Sequence, residues 1–211
     1  MLEDYITNNL SLPSNILEPS AGKGDIIKFI INYNNKLQAK NNLNLFCFEL
    51  VKQLRDTLKQ EYVGNNLKIL GSDFLQYHHQ AKIFDLIIMN PPFDRGVEHV
   101  LHAFNLVSNN NGEVIALLNK HSYYNAYNIH RLKLKALIDN FGSIENLGQA
   151  FNDKTKAQRT ARVDVILIKL KKNQDLLRQY REIGVNLSKY CIKDIRSNRA
   201  KYEYHHLYPA Q

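Results

Sequence analysis

Ile16-Leu17-Glu18-Pro19-Ser20-Ala21-Gly22-Lys23-Gly24-Asp25 passes from an apolar strand end, through a turn of small residues, into a helical pattern. Gly22 and Gly24 let the backbone approach a ligand and adopt conformations that a side chain disfavours. The helix N-terminus behind them offers free N–H groups and partial positive charge to a carboxylate or phosphate. A turn at the C-terminal end of a strand is also where doubly wound sheets bind ligands. Two phosphate-binding motifs are excluded: Gly24 follows Lys23 where a P-loop needs Ser or Thr, and Asp25-Ile26-Ile27 follows where a dinucleotide fingerprint needs its third glycine. Taken alone, the segment is also compatible with an ordinary strand-to-helix turn.

Outward from this turn, short apolar runs alternate with amphipathic stretches. Leu43–Phe48, Leu67–Leu70, Phe84–Met89 and Glu113–Leu118 read as strands two to five, and Ile144–Leu147 and Val163–Leu170 as two closing strands. Helical periodicity covers Gly22–Leu37, Val51–Tyr62, Val97–Val107 and Tyr123–Asn140. Strands alternating with helices of this length predict a mostly parallel seven-stranded sheet with helices on both faces. Asn109-Asn110-Asn111-Gly112 is a strong turn signal. The strand rhythm stops after Lys172, dividing the chain into a domain over 1–172 and a basic helical extension over 173–211.

Acidic residues recur at strand ends. Glu49 follows strand two, where a carboxylate can accept from both ribose hydroxyls of a nucleoside. Asp73, in Gly71-Ser72-Asp73-Phe74, can accept from an adenine amino group while Phe74 stacks on the ring. Asn90-Pro91-Pro92-Phe93 then follows the fully apolar fourth strand. Pro91 pushes Asn90 out of the helical region, and paired prolines make a stiff extended loop. The loop presents the Asn90 side-chain oxygen, the Pro91 carbonyl and the ring of Phe93.

Glu18-Pro19-Ser20-Ala21-Gly22-Lys23-Gly24, Glu49, Asp73-Phe74-Leu75 and Asn90-Pro91-Pro92-Phe93 together resemble the amino-methylating class I S-adenosylmethionine-dependent methyltransferases, and most of all their DNA adenine-N6 subgroup. The resemblance covers roughly residues 14 to 170. It implies a Rossmann-like α/β fold and a cofactor, S-adenosyl-L-methionine, held by Pro19, Ser20, Ala21, Gly22, Glu49, Asp73 and Phe74, with Glu18 supporting the methionine end. It also implies a catalytic loop of Asn90, Pro91, Pro92 and Phe93: an exocyclic adenine amine is a poor nucleophile because its lone pair is delocalised into the ring, and the Asn90 side-chain oxygen and the Pro91 carbonyl would accept from its N–H groups and stabilise the charge that develops on methylation. Phe93 would stack on the base, and a target within duplex DNA would first be flipped out. The cofactor then carries the hard chemistry and the protein supplies placement. The chain departs from the family in two ways. Met1 to Asn15 lacks the usual Phe-x-Thr-Pro element, and only about forty residues follow the sheet where many relatives carry a target-recognition domain. Sequence specificity then falls to the extension, to loops or to a specificity subunit, or is low.

The 211 residues carry a net charge of +8, with 44% hydrophobic and 23% charged residues, and the sequence pI is about 9.3. Such a chain attracts polyanions, nucleic acid first among them. The abundance of Asn, Ile, Lys and Tyr without Trp also matches AT-rich coding, so charge alone does not decide the partner. No apolar run reaches the ~18 residues of a membrane span, and Met1-Leu2-Glu3-Asp4 is no signal peptide, which points to the cytoplasm. Cys47 and Cys191 set no disulfide framework, and Cys47 in its apolar run reads as a buried thiol. His99 and His102 lack a third ligand at metal spacing, so packing is favoured over metal binding. Lys154, Lys156, Arg159 and Arg162 form a basic segment between the closing strands that can grip phosphates or remain a solvated loop. The competing functions are ribosomal RNA amino methylation (adenine N6 or guanine N2), protein glutamine-N5 methylation and a non-catalytic binding subunit of the same fold. Phe93 and the basic charge weigh against the protein acceptor, and the intact Asn90-Pro91-Pro92-Phe93 against the binding subunit.

Overall fold

The computed structural model describes residues 2–9, 11–37, 42–78, 83–124, 128–148 and 164–175. Its seven strands are β1 (Asn15–Glu18), β2 (Asn44–Phe48), β3 (Leu67–Gly71), β4 (Leu86–Met89), β5 (Glu113–Asn119), β6 (Gly142–Gly148) and β7 (Val165–Lys171). They form one sheet in the order β3-β2-β1-β4-β5-β7-β6. β1 to β5 are parallel, and β7 runs antiparallel to both β5 and β6. This is the mostly parallel seven-stranded sheet that the apolar rhythm predicts.

Every residue of Leu86-Ile87-Ile88-Met89 is buried, so β4 must be covered on both faces. Alternation along the strands divides the core accordingly. Leu17, Ile87, Met89, Val114 and Ala116 pack beneath α4 (Gly96–Leu106) and α6 (Ile129–Phe141). Ile16, Leu86, Ile88 and Ile115 face the side of α1 (Leu2–Asn9), α2 (Asp25–Lys36) and α3 (Lys52–Glu61). Cys47 is fully buried there, and desolvation pushes its thiol up to about 12, the inert packing role expected of it.

Local chemistry explains where elements depart from the periodicity. The first long helix starts at Asp25, not Gly22, because Gly24 caps it at φ +84°. The single helix expected over Tyr123–Asn140 is two, α5 (His121–Tyr124) and α6, since the Asn128 side chain accepts from the Arg131 N–H at 2.9 Å and restarts the helix. Phe84 forms only an isolated bridge to Val107, and regular pairing begins at Leu86. α1, to which the periodicity assigns no element, buries Leu2 and Ile6 in the second core cluster. Asn111 adopts φ +57° in the expected turn before β5. Lys172 is buried where the sheet ends, its Nζ donating to the Val107 carbonyl and lying 5.0 Å from the Phe104 ring centroid. Of the extension expected over 173–211, only 173–175 fall among the described residues.

Because β1 to β5 are parallel, the residues that follow each strand gather along one edge. Glu18–Gly24, Glu49, Asp73, Asn90–Phe93 and Lys120 all belong to it.

Candidate active site

The β1 turn is tied to the end of β2 by backbone and carboxylate. Ala21 N–H donates to the Phe48 carbonyl at 2.9 Å. Glu49, only 8% exposed, accepts from Gly22 N–H at 2.7 Å through Oε2 and from Val51 N–H at 2.8 Å through Oε1. Each carboxylate oxygen has a second lone pair, so Glu49 is held in place and still able to accept from a ligand. Arg55 donates to the Glu49 and Leu50 carbonyls, both at 2.7 Å, and fixes the start of α3. Gly22 sits at φ +56°, and a Cβ there would enter open space. At Gly24 a Cβ would lie 2.7 Å from Leu58 Cδ2, so only glycine lets this turn close on α3.

Beneath the turn, Glu18 is 3% exposed. Burial pushes its carboxyl well above the usual range, the Ile27 N–H opposes this, and Asp25 and Glu49 add to it. Glu18 Oε2 and Ser20 Oγ are buried without hydrogen-bond partners among the described residues. A buried acceptor and a buried hydroxyl left unsatisfied carry a desolvation cost that a ligand cation or polar group relieves. Pro19 and Ala21 complete the buried wall of the turn.

Asp73 caps a single 3-10 turn, its Oδ1 accepting from Leu75 N–H at 2.9 Å, and it is half-buried at the same edge. Phe74 does not extend towards a ligand. Its ring is 2% exposed and packs against Phe48, His99 and His102, so the stacking role expected of it is unavailable in this arrangement. Phe74 instead anchors the turn that carries Asp73. His99 donates from Nδ1 to the Arg95 carbonyl and His102 from Nε2 to the Tyr77 carbonyl, each at 2.9 Å, and burial lowers the pKa of both. No group of metal-ligating side chains exists among the described residues.

Asn90-Pro91-Pro92-Phe93 leaves the top of β4 between β1 and β5. Pro91 is buried, while Asn90, Pro92 and Phe93 are exposed. The Asn90 side chain has no hydrogen-bond partner among the described residues, so its amide is available to a ligand. The loop is held from below: a Cβ on Gly96 would lie 2.5 Å from Leu118 Cδ2 and 3.5 Å from Pro91 Cγ, which shows how closely α4 and Pro91 approach β5. Arg95 N–H closes the turn on the Pro92 carbonyl at 3.2 Å, and the Arg95 side chain pairs with Glu98 at 3.0 Å.

Since β2, β1 and β4 are consecutive in the sheet, Glu49, the β1 turn and Asn90 lie within about two strand spacings, some 10 Å. Asp73, after β3, lies one strand further out. Leu50 and Val51, 71% and 46% exposed, add an apolar surface beside Glu49. Neither was singled out in the sequence, although an apolar pair after an acidic strand end is a readable signal. Lys154, Lys156, Arg159 and Arg162 lie outside the described residues. A groove of about 540 Å³ between α3 and the edge strand β3 is lined by Leu58, Tyr62, Val63 and Ile69 and holds none of these polar groups. Converging acceptors, not cavity size, therefore mark the site.

No family model and no curated protein matches the sequence. Solved structures do. The methyltransferase subunit of a type I restriction-modification system from Streptococcus thermophilus superimposes with a TM-score of 0.63 at 15% identity, over 82% of this chain and 43% of that one. A dimethyladenosine transferase from Plasmodium falciparum gives 0.59 at 13% identity, over 90% and 64%. A TehB-like SAM-dependent methyltransferase from Corynebacterium glutamicum gives 0.52 at 14% identity, over 81% and 86%. The chain spans less than two thirds of the length of the first two. At these identities the likeness is one of architecture: the chain has the Rossmann-like fold of the class I S-adenosylmethionine-dependent methyltransferases.

Proposed function

We propose that this protein transfers a methyl group from S-adenosyl-L-methionine to the exocyclic N6 amine of adenine in DNA. The observation that carries the reading is the Asn90 amide, exposed and without a partner among the described residues at the end of a fully buried strand, beside a turn where Glu18 Oε2 and Ser20 Oγ also lack partners among them. The residues present fit the cofactor. Glu18 and Ser20 would hold its cationic methionine end, Glu49 its ribose hydroxyls and Asp73 its adenine amine, with Leu50 and Val51 as an apolar flank. When bound, the cofactor supplies an electrophilic methyl on a sulfonium.

The chain's own part is placement. Asn90 Oδ1 and the Pro91 carbonyl accept the two N–H bonds of the target amine and concentrate its lone pair on nitrogen. Proline stiffness and the packing of Gly96 against Leu118 keep those acceptors in position. Phe93, 37% exposed, is the ring that would stack on the base. Sequence choice would come from residues after β7 or from a specificity subunit.

A ribosomal RNA amine is the second reading, favoured by the likeness to a 23S rRNA methyltransferase (TM-score 0.55 at 13% identity), 64% of whose length the chain spans against 43% of the restriction-modification subunit. Incubation with labelled S-adenosylmethionine and, separately, DNA, ribosomal RNA and a protein extract tests both. The proposal expects label on DNA adenine, lost in Asn90→Ala. Label entering RNA or protein but not DNA overturns the acceptor, and equal transfer by Asn90→Ala overturns the role of the loop.

A further inference from the structure

The rim beyond β5 carries a concentration of cations around one exposed ring, Tyr124, that neither the fold nor the cofactor site requires. β4 and β5 are parallel neighbours with Met89 opposite Ala116, so Asn90 stands level with Leu117. β5 continues to Asn119, and Lys120 therefore rises about 10 Å above the level of Asn90, as a wall beside the catalytic loop. That wall is firmly set. Asn119 pairs with Val165, and Lys120 N–H donates to the Asp164 carbonyl at 2.8 Å.

From this wall the Lys120 ammonium reaches 5.6 Å from the Tyr124 ring centroid and 3.9 Å from Asp164 Oδ2. Tyr124 is 58% exposed, and Tyr123 packs edge-on against it at 5.0 Å. α6 starts on this same edge and descends towards β6, bringing Arg131, Lys133 and Lys135 within its first ~9 Å. Lys133 lies on one flank of α6 and Arg131 and Lys135 on the other, with Leu134, Leu137 and Ile138 against the sheet. No Asp or Glu occurs between Glu113 and Asp139. Cations interleaved with an open aromatic face make a surface for a sugar-phosphate backbone with unstacked bases: the lysines meet phosphates and the ring stacks on a base whatever its identity.

We propose that Lys120, Tyr124 and, on the two flanks of the first turns of α6, Lys133 and Lys135 form a nucleic-acid surface, a track that crosses α6 and delivers a single-stranded or locally opened strand to Asn90. The track rests on the methyltransferase reading for its purpose, though not for its binding. It places strand contacts on the β5–α6 side of the site.

The test is fluorescence anisotropy of the full chain with labelled single-stranded DNA, and in a separate arm with RNA of matching sequence, across a salt series. Lys120→Gln/Lys133→Gln/Lys135→Gln is expected to weaken binding by about tenfold or more at low salt and to reduce the slope of log affinity against log salt by about 2. Tyr124→Ala is expected to weaken it by about tenfold with the slope unchanged. An exposed distant triple of equal charge, Lys36→Gln/Lys59→Gln/Lys68→Gln, should keep affinity within about threefold. All variants are checked by thermal melting and by titration with S-adenosylmethionine, which should be unaltered. Wild-type affinity in the track variants, or equal loss in the distant triple, overturns the proposal. Track-dependent strand binding without cofactor binding leaves the track standing and removes the methyltransferase reading. Cofactor binding without strand binding does the reverse.

Discussion

Glu49 and Asn90 follow strands that flank β1 on either side, yet the two ends are built in opposite ways. Glu49 is 8% exposed and both its oxygens accept backbone N–H groups, while Arg55 holds the carbonyls beside it. Asn90 is exposed, and its amide has no partner among the described residues. Its position depends on two prolines and on the close packing of Gly96 against Leu118. One side is organised by hydrogen bonds before any ligand arrives. The other is organised by stiffness, leaving its polar atoms uncommitted. In the proposed reaction the difference would suit a binding site beside a site of chemistry: a carboxylate held in one place, and acceptors left unsatisfied until a target amine fills them.

Substitutions on the two sides should therefore fail differently. Asn90→Ala removes one of two acceptors for the developing charge, and should lower kcat by about a hundred- to a thousandfold. Single-turnover kinetics with labelled cofactor would measure this, and cofactor affinity should be unchanged. A matching loss of cofactor affinity would break the division between the two sides. Glu49→Ala leaves the Gly22 and Val51 N–H groups without their acceptor and removes the proposed ribose acceptor. Cofactor affinity should fall by about ten- to a hundredfold, with about 1–3 kcal/mol lost for each N–H left unsatisfied. Titration calorimetry and chemical denaturation read the two effects separately.

Gly96→Ala probes the stiffness of the catalytic side. The added methyl collides with the buried Leu118 side chain, and overpacking of this kind costs about 1–3 kcal/mol. A melting temperature lower by about 2–4 °C per kcal/mol should be accompanied by reduced kcat, because Pro91 shares the contact. Full activity at a lowered melting temperature would show that Gly96 packing does not set the loop.

The smallest effect concerns Glu18. Its carboxyl is raised by burial, so in the free protein the protonated form is the one the fold tolerates. Its contribution to stability is full below the ordinary glutamate range and is lost as pH rises from that range to the raised value. Glu18→Gln should flatten this decline and be the more stable protein at alkaline pH, while binding cofactor more weakly. Parallel pH dependences of melting for the two proteins would contradict a protonated Glu18.

The sequence discloses much of this contrast, and the reasons are local. β4 is legible because four consecutive apolar residues end at Asn90-Pro91-Pro92, and paired prolines cannot continue the hydrogen-bond ladder of a central strand. The β1 turn is legible because glycines at 22 and 24 leave few alternatives. Phe74 is not, because an aromatic ring after an acidic residue can point out to a ligand or in to the core. The choice was made by Phe48, His99 and His102, which are distant in sequence. α1 escaped because a helix of eight residues gives too few turns for its period to register. The missing partners of Glu18 Oε2 and Ser20 Oγ are a property of packing alone, and no residue pattern announces them.

Titration of the wild type, Glu49→Ala and Asn90→Ala with S-adenosylmethionine tests the central claim most directly. The account predicts saturable binding by the wild type, the same affinity in Asn90→Ala and a large loss in Glu49→Ala. A folded wild type that does not bind the cofactor, or an Asn90→Ala variant as impaired as Glu49→Ala, would contradict it.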